Sequence, residues 1–75
     1  MGEVPEDLLA KDRELQAAVQ EAWTAERLAR LAVLESEPGK AETNRQAWEA
    51  QQRVLLRLRA SHQAALAAIR EVMRR

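Results

Sequence analysis

From Trp48 onward the apolar residues return every three or four positions. Trp48, Leu55, His62 and Ile69 occupy one heptad position and Gln51, Leu58, Ala65 and Val72 the other, which is the spacing of one face of an α-helix. Val54, Leu66 and Met73 widen that seam on its flanks. The first half of the chain carries a matching stripe through Val4, Leu8, Leu15, Val19, Ala22, Ala29 and Val33, with Trp23 and Leu34 at one edge. Two long helices are predicted.

The stretch between them, Glu35 to Asn44, reads ESEPGKAETN and holds the only proline and glycine beyond the first five residues. Pro38 disfavours helical geometry at Glu37 and removes a backbone donor, and Gly39 permits the positive φ that many reversals use. Pro5 followed by Glu6 and Asp7 is a helix start, because proline suits the first turn and the acids complement the helix dipole. Thr43 with Gln46 reads as a capping box, with Lys40 or Ala41 as an earlier start. The expected layout is one domain over residues 1–75, with a helix at 5–36, a turn at 37–42 and a helix at 43–74. Two helices of roughly 32 residues, about 48 Å each, joined by a short loop favour an antiparallel αα-hairpin. With the loop centred near Pro38, residues whose numbers add to about 77 face each other, setting Leu8 against Ile69, Val19 against Leu58 and Ala22 against Leu55.

Composition supports the all-α class and thins the core. Among 75 residues there is no Phe, Tyr or Cys, and the large apolar groups are ten Leu, five Val, one Ile, two Met and two Trp. Ala, Leu, Glu, Arg and Gln dominate, a mixture typical of long helices and coiled coils. One histidine and no cysteine leave no disulfide framework and no His- or Cys-based zinc site. Charged residues interrupt every apolar run, so neither a membrane span nor a signal-peptide core is expected, and a soluble cytoplasmic protein without cofactors is the default.

The net charge of zero conceals a division. Through Glu37 four basic residues stand against nine acidic ones, giving −5; from Pro38 onward eight basic stand against three acidic, giving +5. Side by side, such helices attract.

Pairing the two stripes leaves apolar residues over. Leu28 and Leu31 project away from the main stripe of helix one, and Leu56, Ala60, Ala64 and Ala67 form a second small-apolar row on helix two. Ordering costs roughly 1.5 kcal/mol per residue against about 25 cal/mol per Å² of apolar area buried, so a lone hairpin is marginal. A second hairpin, from the same or another chain, is the simplest remedy. The leading expectation is self-association into a homodimeric four-helix bundle.

Four polar residues interrupt the seam. His62, expected opposite Leu15, could sense pH; the plainer reading is a neutral seam histidine bonded to a backbone or glutamine partner. Glu26 and Arg30 fall one turn apart in the helix-one stripe, Glu26 against Gln51 and Arg30 near Trp48, as a buried polar layer that fixes register. A catalytic carboxylate would need a second acid, a metal ligand or a nucleophile at helical spacing, and none is present. The segments EAWTAER (Glu21 to Arg27) and QAWEAQQ (Gln46 to Gln52) share Ala-Trp-x-Ala, a likeness too short to establish a duplication. Trp23 and Trp48 sit at stripe edges, where a ring either finishes a core or anchors a partner.

The arginines of helix two, among them Arg53, Arg57, Arg59, Arg70, Arg74 and Arg75, raise the alternative of a nucleic-acid-binding regulator. They are spread around the helix without interleaved aromatics, which favours solvated faces and ion pairs with helix one. The stretch RVLLRLRASHQAALAAIRE, Arg53 to Glu71, is similar in its Leu/Ala/Arg spacing to the partner-binding helices of the short hairpins that assist bacterial flagellar or virulence secretion. The expected architecture is also similar to that of the plasmid RNA-binding bundles made of two hairpins. The function read from the sequence is non-enzymatic: an adaptor, chaperone or assembly subunit that binds a second copy or a helical segment of another protein.

Overall fold

A computed structural model describes residues 3–75 and contains two α-helices, α1 (Glu6–Leu34) and α2 (Ala41–Arg74). They pack antiparallel along their length. Asp12 near the start of α1 meets His62 of α2, whereas Ser36 beyond the end of α1 meets Asn44 at the start of α2. The described residues form a rod of 58 × 14 × 13 Å with a radius of gyration of 17.0 Å, against about 11 Å for a compact domain of this length. No helix among the described residues is long and apolar enough to cross a membrane.

Each helix end has a local cause. Pro5 sits just outside α1 with φ −57° and ψ 142°, and its carbonyl accepts from the amides of Leu8 and Leu9. Glu6 and Asp7 occupy the first turn, where the dipole favours acids. α1 stops at Leu34, two residues before the expected Ser36, and α2 begins at Ala41, the earlier of the alternatives. The Thr43–Gln46 capping box does not form, because Lys40 is the residue that precedes the helix and no side chain caps it. Instead the turn Glu37 to Lys40 closes through the Lys40 amide donating to the Glu37 carbonyl at 2.9 Å. Gly39 has no positive φ, so the reversal is of the type I kind and does not need the glycine's left-handed freedom. The loop is clasped from both sides: Asn44 Nδ2 donates to Ser36 Oγ at 2.6 Å, and the Ser36 hydroxyl donates to the Ala32 carbonyl.

The seam of α2 is where its period placed it. Trp48, Gln51, Leu55, Leu58, His62, Ala65, Ile69 and Val72 are all buried or half-buried, as are Val4, Leu8, Leu15, Val19, Ala22, Ala29 and Val33 facing them. The flanks differ: Leu66 is half-buried, but Val54 and Met73 are exposed and do not widen the seam. Only Ala22 and Leu55, at 6% and 8% exposure, are buried among the described residues. One helix–helix seam shields each side chain from one direction, and this accounts for the thin core.

Candidate protein-interaction surface

Two bonds across the seam fix how the helices meet. Trp48 Nε1 donates to Glu26 Oε1 at 2.7 Å, and His62 Nε2 lies 2.9 Å from Asp12 Oδ1. Both partners lie three residues from those expected. Glu26 meets Trp48 in place of Gln51, and His62 meets Asp12 in place of Leu15. Three residues is just under one helical turn, so the same faces meet while the individual contacts change.

These contacts correct the polar layer. Arg30 is exposed and takes no part in it. Gln51 is half-buried but has no side-chain hydrogen bond to Glu26, whose carboxylate is taken by the indole. His62 is bonded neither to backbone nor to glutamine: it faces a carboxylate. A carboxylate only accepts, so the His62 proton in this bond resides on Nε2. Asp12 was not among the expected seam residues, having been counted only as one of the acids of helix one.

The arginines pair differently as well. Arg13 bonds Glu6 within α1, while Arg45 bonds Glu42 at 2.6 Å and Glu49 at 2.9 Å within α2, and Arg74 lies 3.9 Å from Glu71. No arginine ion pair crosses between the helices among the described residues, so the expected pairing of the α2 arginines with helix one is not formed. Hydrogen bonding to Arg45, and then its charge, holds the Glu42 carboxyl below the usual carboxylate range, and Glu42 in turn raises Arg45.

Outside the seam lies a broad apolar surface. Trp23 is 50% exposed, Leu28 62%, Leu31 50%, Leu34 71% and Leu56 64%, and Ala60 and Ala64 are exposed beside Leu56 on α2. Trp23 carries the Arg27 guanidinium 4.6 Å above its ring. A cleft of about 440 Å³ opens between the helices, lined by Trp23, Glu26, Gln52, Leu55, Leu56 and Arg59. Trp23 and Leu56 thus share one face, and the floor of their cleft reaches the core residue Leu55.

The remaining expected interaction residues do not form a single patch. Leu31 lines a second depression with Arg27, Arg30 and Leu34. Leu28 lines neither, and Trp48 is half-buried in the seam through its bond to Glu26. The sequence grouped Leu28 with Leu31 as one row, but the five residues from Trp23 to Leu28 carry the chain about 140° around α1, whereas the eight from Trp23 to Leu31 carry it about 80°.

No group of three or more His, Cys, Asp or Glu side chains that could hold a metal ion occurs among the described residues. The arrangement defines a helical hairpin whose cleft and neighbouring depression set exposed apolar side chains beside Arg27, Arg30 and Arg59. Comparison with family models, curated proteins and solved structures finds no match.

Proposed function

We propose that this hairpin is a non-enzymatic helix–helix association module, an adaptor, chaperone or assembly subunit of the bacterial cytoplasm. Its first partner is a second copy of itself, and the two hairpins make a four-helix bundle with coiled-coil-like seams. The carrying observation is the exposure of Trp23, Leu28, Leu31, Leu34 and Leu56 at half or more of their surface on a rod with two buried residues among those described. The accessible surface, 5927 Å², compares with about 4,700 Å² for a compact monomer of 8.5 kDa. The excess, roughly 1,200 Å² per chain, is more than the about 800 Å² that each partner of a specific interface removes from water.

Light scattering across micromolar concentrations tests this reading. Wild type should gain mass with concentration, and Leu28→Glu/Leu31→Glu should lose that mass, because a partner would bury two unpaired carboxylates. Thr43→Glu/Gln46→Glu, exposed near the turn, should leave the mass unchanged. A wild type that stays a single copy and melts at the same temperature as the Leu28/Leu31 variant would overturn self-association.

A further inference from the structure

The cleft side of the hairpin carries exposed arginines, and the far side of α1 carries a row of acids. On α1, Trp23, Arg27, Arg30 and Leu34 follow one helical stripe, and on α2 Gln52, Leu56, Arg59, Gln63 and Arg70 follow another. The cleft lined by Trp23, Leu56 and Arg59 joins these stripes into one face. Arg27, Arg30, Arg59 and Arg70 are exposed, and among the described residues none lies within ion-pair distance of a carboxylate. The far side of α1 repeats in sevens through Asp7, Glu14, Glu21 and Leu28, and Glu35 follows just past its end, all exposed. Leu28 is the single apolar member of that row. At about 140° from Trp23 it cannot reach the cleft of its own chain.

We propose that the cleft between Trp23 and Leu56 receives Leu28 of a second copy lying in the same direction, so that the acidic row of one hairpin docks on the basic face of the next. This rests on the self-association reading but replaces its closed pair of hairpins with a contact that repeats from one copy to the next. Spacing carries it. Arg30 lies seven residues from Trp23 toward the turn, as Glu35 lies seven from Leu28. Arg70 lies fourteen residues from Leu56 toward the open end, as Glu14 lies fourteen from Leu28. Glu21, seven from Leu28, falls at the level of Gln63, seven from Leu56, with Arg59 one turn closer. In the register of the Glu26–Trp48 and Asp12–His62 bonds, Trp23 and Leu56 stand about five residues, roughly 7.5 Å, apart along the rod. With Leu28 midway between them, Glu35, Glu14 and Glu21 come within roughly 4 Å along the axis of Arg30, Arg70 and the Arg59–Gln63 pair, inside the reach of the arginine side chains. A two-fold contact through the cleft would instead oppose arginine to arginine. Because the docked copy still offers its own empty cleft, the contact is head-to-tail and does not close on itself at two copies.

Two variants that spoil opposite sides test this. Leu56→Glu/Arg59→Glu blocks the cleft and leaves the row, and Glu21→Arg/Leu28→Arg blocks the row and leaves the cleft. All four positions are exposed, so both variants should keep wild-type helicity by circular dichroism. Each alone should self-associate at least tenfold more weakly than wild type, and their equimolar mixture should form a species of two chains and no larger, while wild type grows beyond two. A mixture that stays monomeric while wild type stops at two copies would overturn the head-to-tail contact and leave self-association standing. Wild type that is always one copy would overturn both. Mass that grows only when a DNA or RNA oligonucleotide is added would assign the basic face to phosphates and overturn the proposal.

Discussion

Trp48 Nε1 donates to Glu26 Oε1 at 2.7 Å, across the seam and on the turn side of the buried Ala22 and Leu55. Both side chains are half-buried, so each loses water that the other replaces. Hydrogen bonds to a charged group contribute about 1.5–3 kcal/mol, more than neutral ones. Glu26→Ala and Trp48→Phe should each destabilise the hairpin by about 1.5 kcal/mol or more in urea titrations. The double variant should lose clearly less than the sum, since both changes delete one bond. Strict additivity would show that the bond contributes nothing.

Asp12 and His62 form the second cross-seam contact, at 2.9 Å and about four-fifths buried on each side chain. The same cycle with Asp12→Ala and His62→Ala at neutral pH should give a coupling of about 0.5–1.5 kcal/mol. His62→Leu fills the seam but strands Asp12, so it should destabilise unless Asp12 is replaced as well. A His62→Leu variant as stable as wild type would mean that the seam prefers an apolar residue there.

The fold was legible because its two signals are strong and local. The period of α2 from Trp48 to Val72 names eight residues that are all buried or half-buried, although two of the flanking residues read with them, Val54 and Met73, are exposed, and Pro38 disfavours helical geometry at the residue before it. Seam contacts were legible only to within one turn, since sequence period defines a face but not the height at which long side chains meet. Thus Glu26 was placed on the right face with the wrong partner. Arg30 was misassigned because a stripe edge is a matter of tens of degrees, and its long polar side chain turns outward when water is within reach. Asp12 was missed for a related reason: an acid three residues before Leu15 reads as surface until a histidine is found opposite. The exposed apolar residues were legible as a surplus, but their division between two faces needed the cleft that sets Trp23 beside Leu56 and excludes Leu28.

Gly39 yields a prediction opposite to the one its sequence context suggests. Its φ is not positive, and a Cβ built there meets nothing within 4 Å. Alanine therefore fits without strain, and it removes conformational freedom from the unfolded chain. Gly39→Ala should stabilise the hairpin by about 0.4–1 kcal/mol in chemical denaturation. A loss of stability would indicate that the turn uses a left-handed conformation in solution.

Asn44 holds the turn from the other side, donating to Ser36 Oγ at 2.6 Å while Ser36 donates to the carbonyl of Ala32. The Ala32 carbonyl lies in the last turn of α1, so the clasp ties the end of one helix to the start of the next. Asn44→Ala should cost about 1 kcal/mol, and amide exchange should quicken at Glu35, Ser36 and Lys40 while the seam amides near Leu55 keep their protection. Uniform loss of protection along both helices would mean that the clasp is part of the global fold and not a local fastening.

Glu42 and Arg45 give the acid response of the start of α2. Arg45 holds the Glu42 carboxyl below its usual range in the folded chain, first by a hydrogen bond and then by charge, whereas in the unfolded chain Glu42 titrates near its ordinary value of about 4.3. A carboxyl lowered on folding contributes stability that is whole above that ordinary value and is lost as pH falls through the lower, folded one. Glu42 also lies in the first turn of α2, where its charge complements the dipole. Both side chains are exposed, so the effect is local and screened by salt. Below about pH 4.3 wild type should show faster amide exchange at Arg45 and Gln46 before any change near Leu55, and 1 M salt should shrink the difference. Glu42→Gln should start with faster exchange at neutral pH and change little on acidification. If wild type and Glu42→Gln responded to acid alike at these amides, the Glu42–Arg45 pair would not be what holds the start of α2.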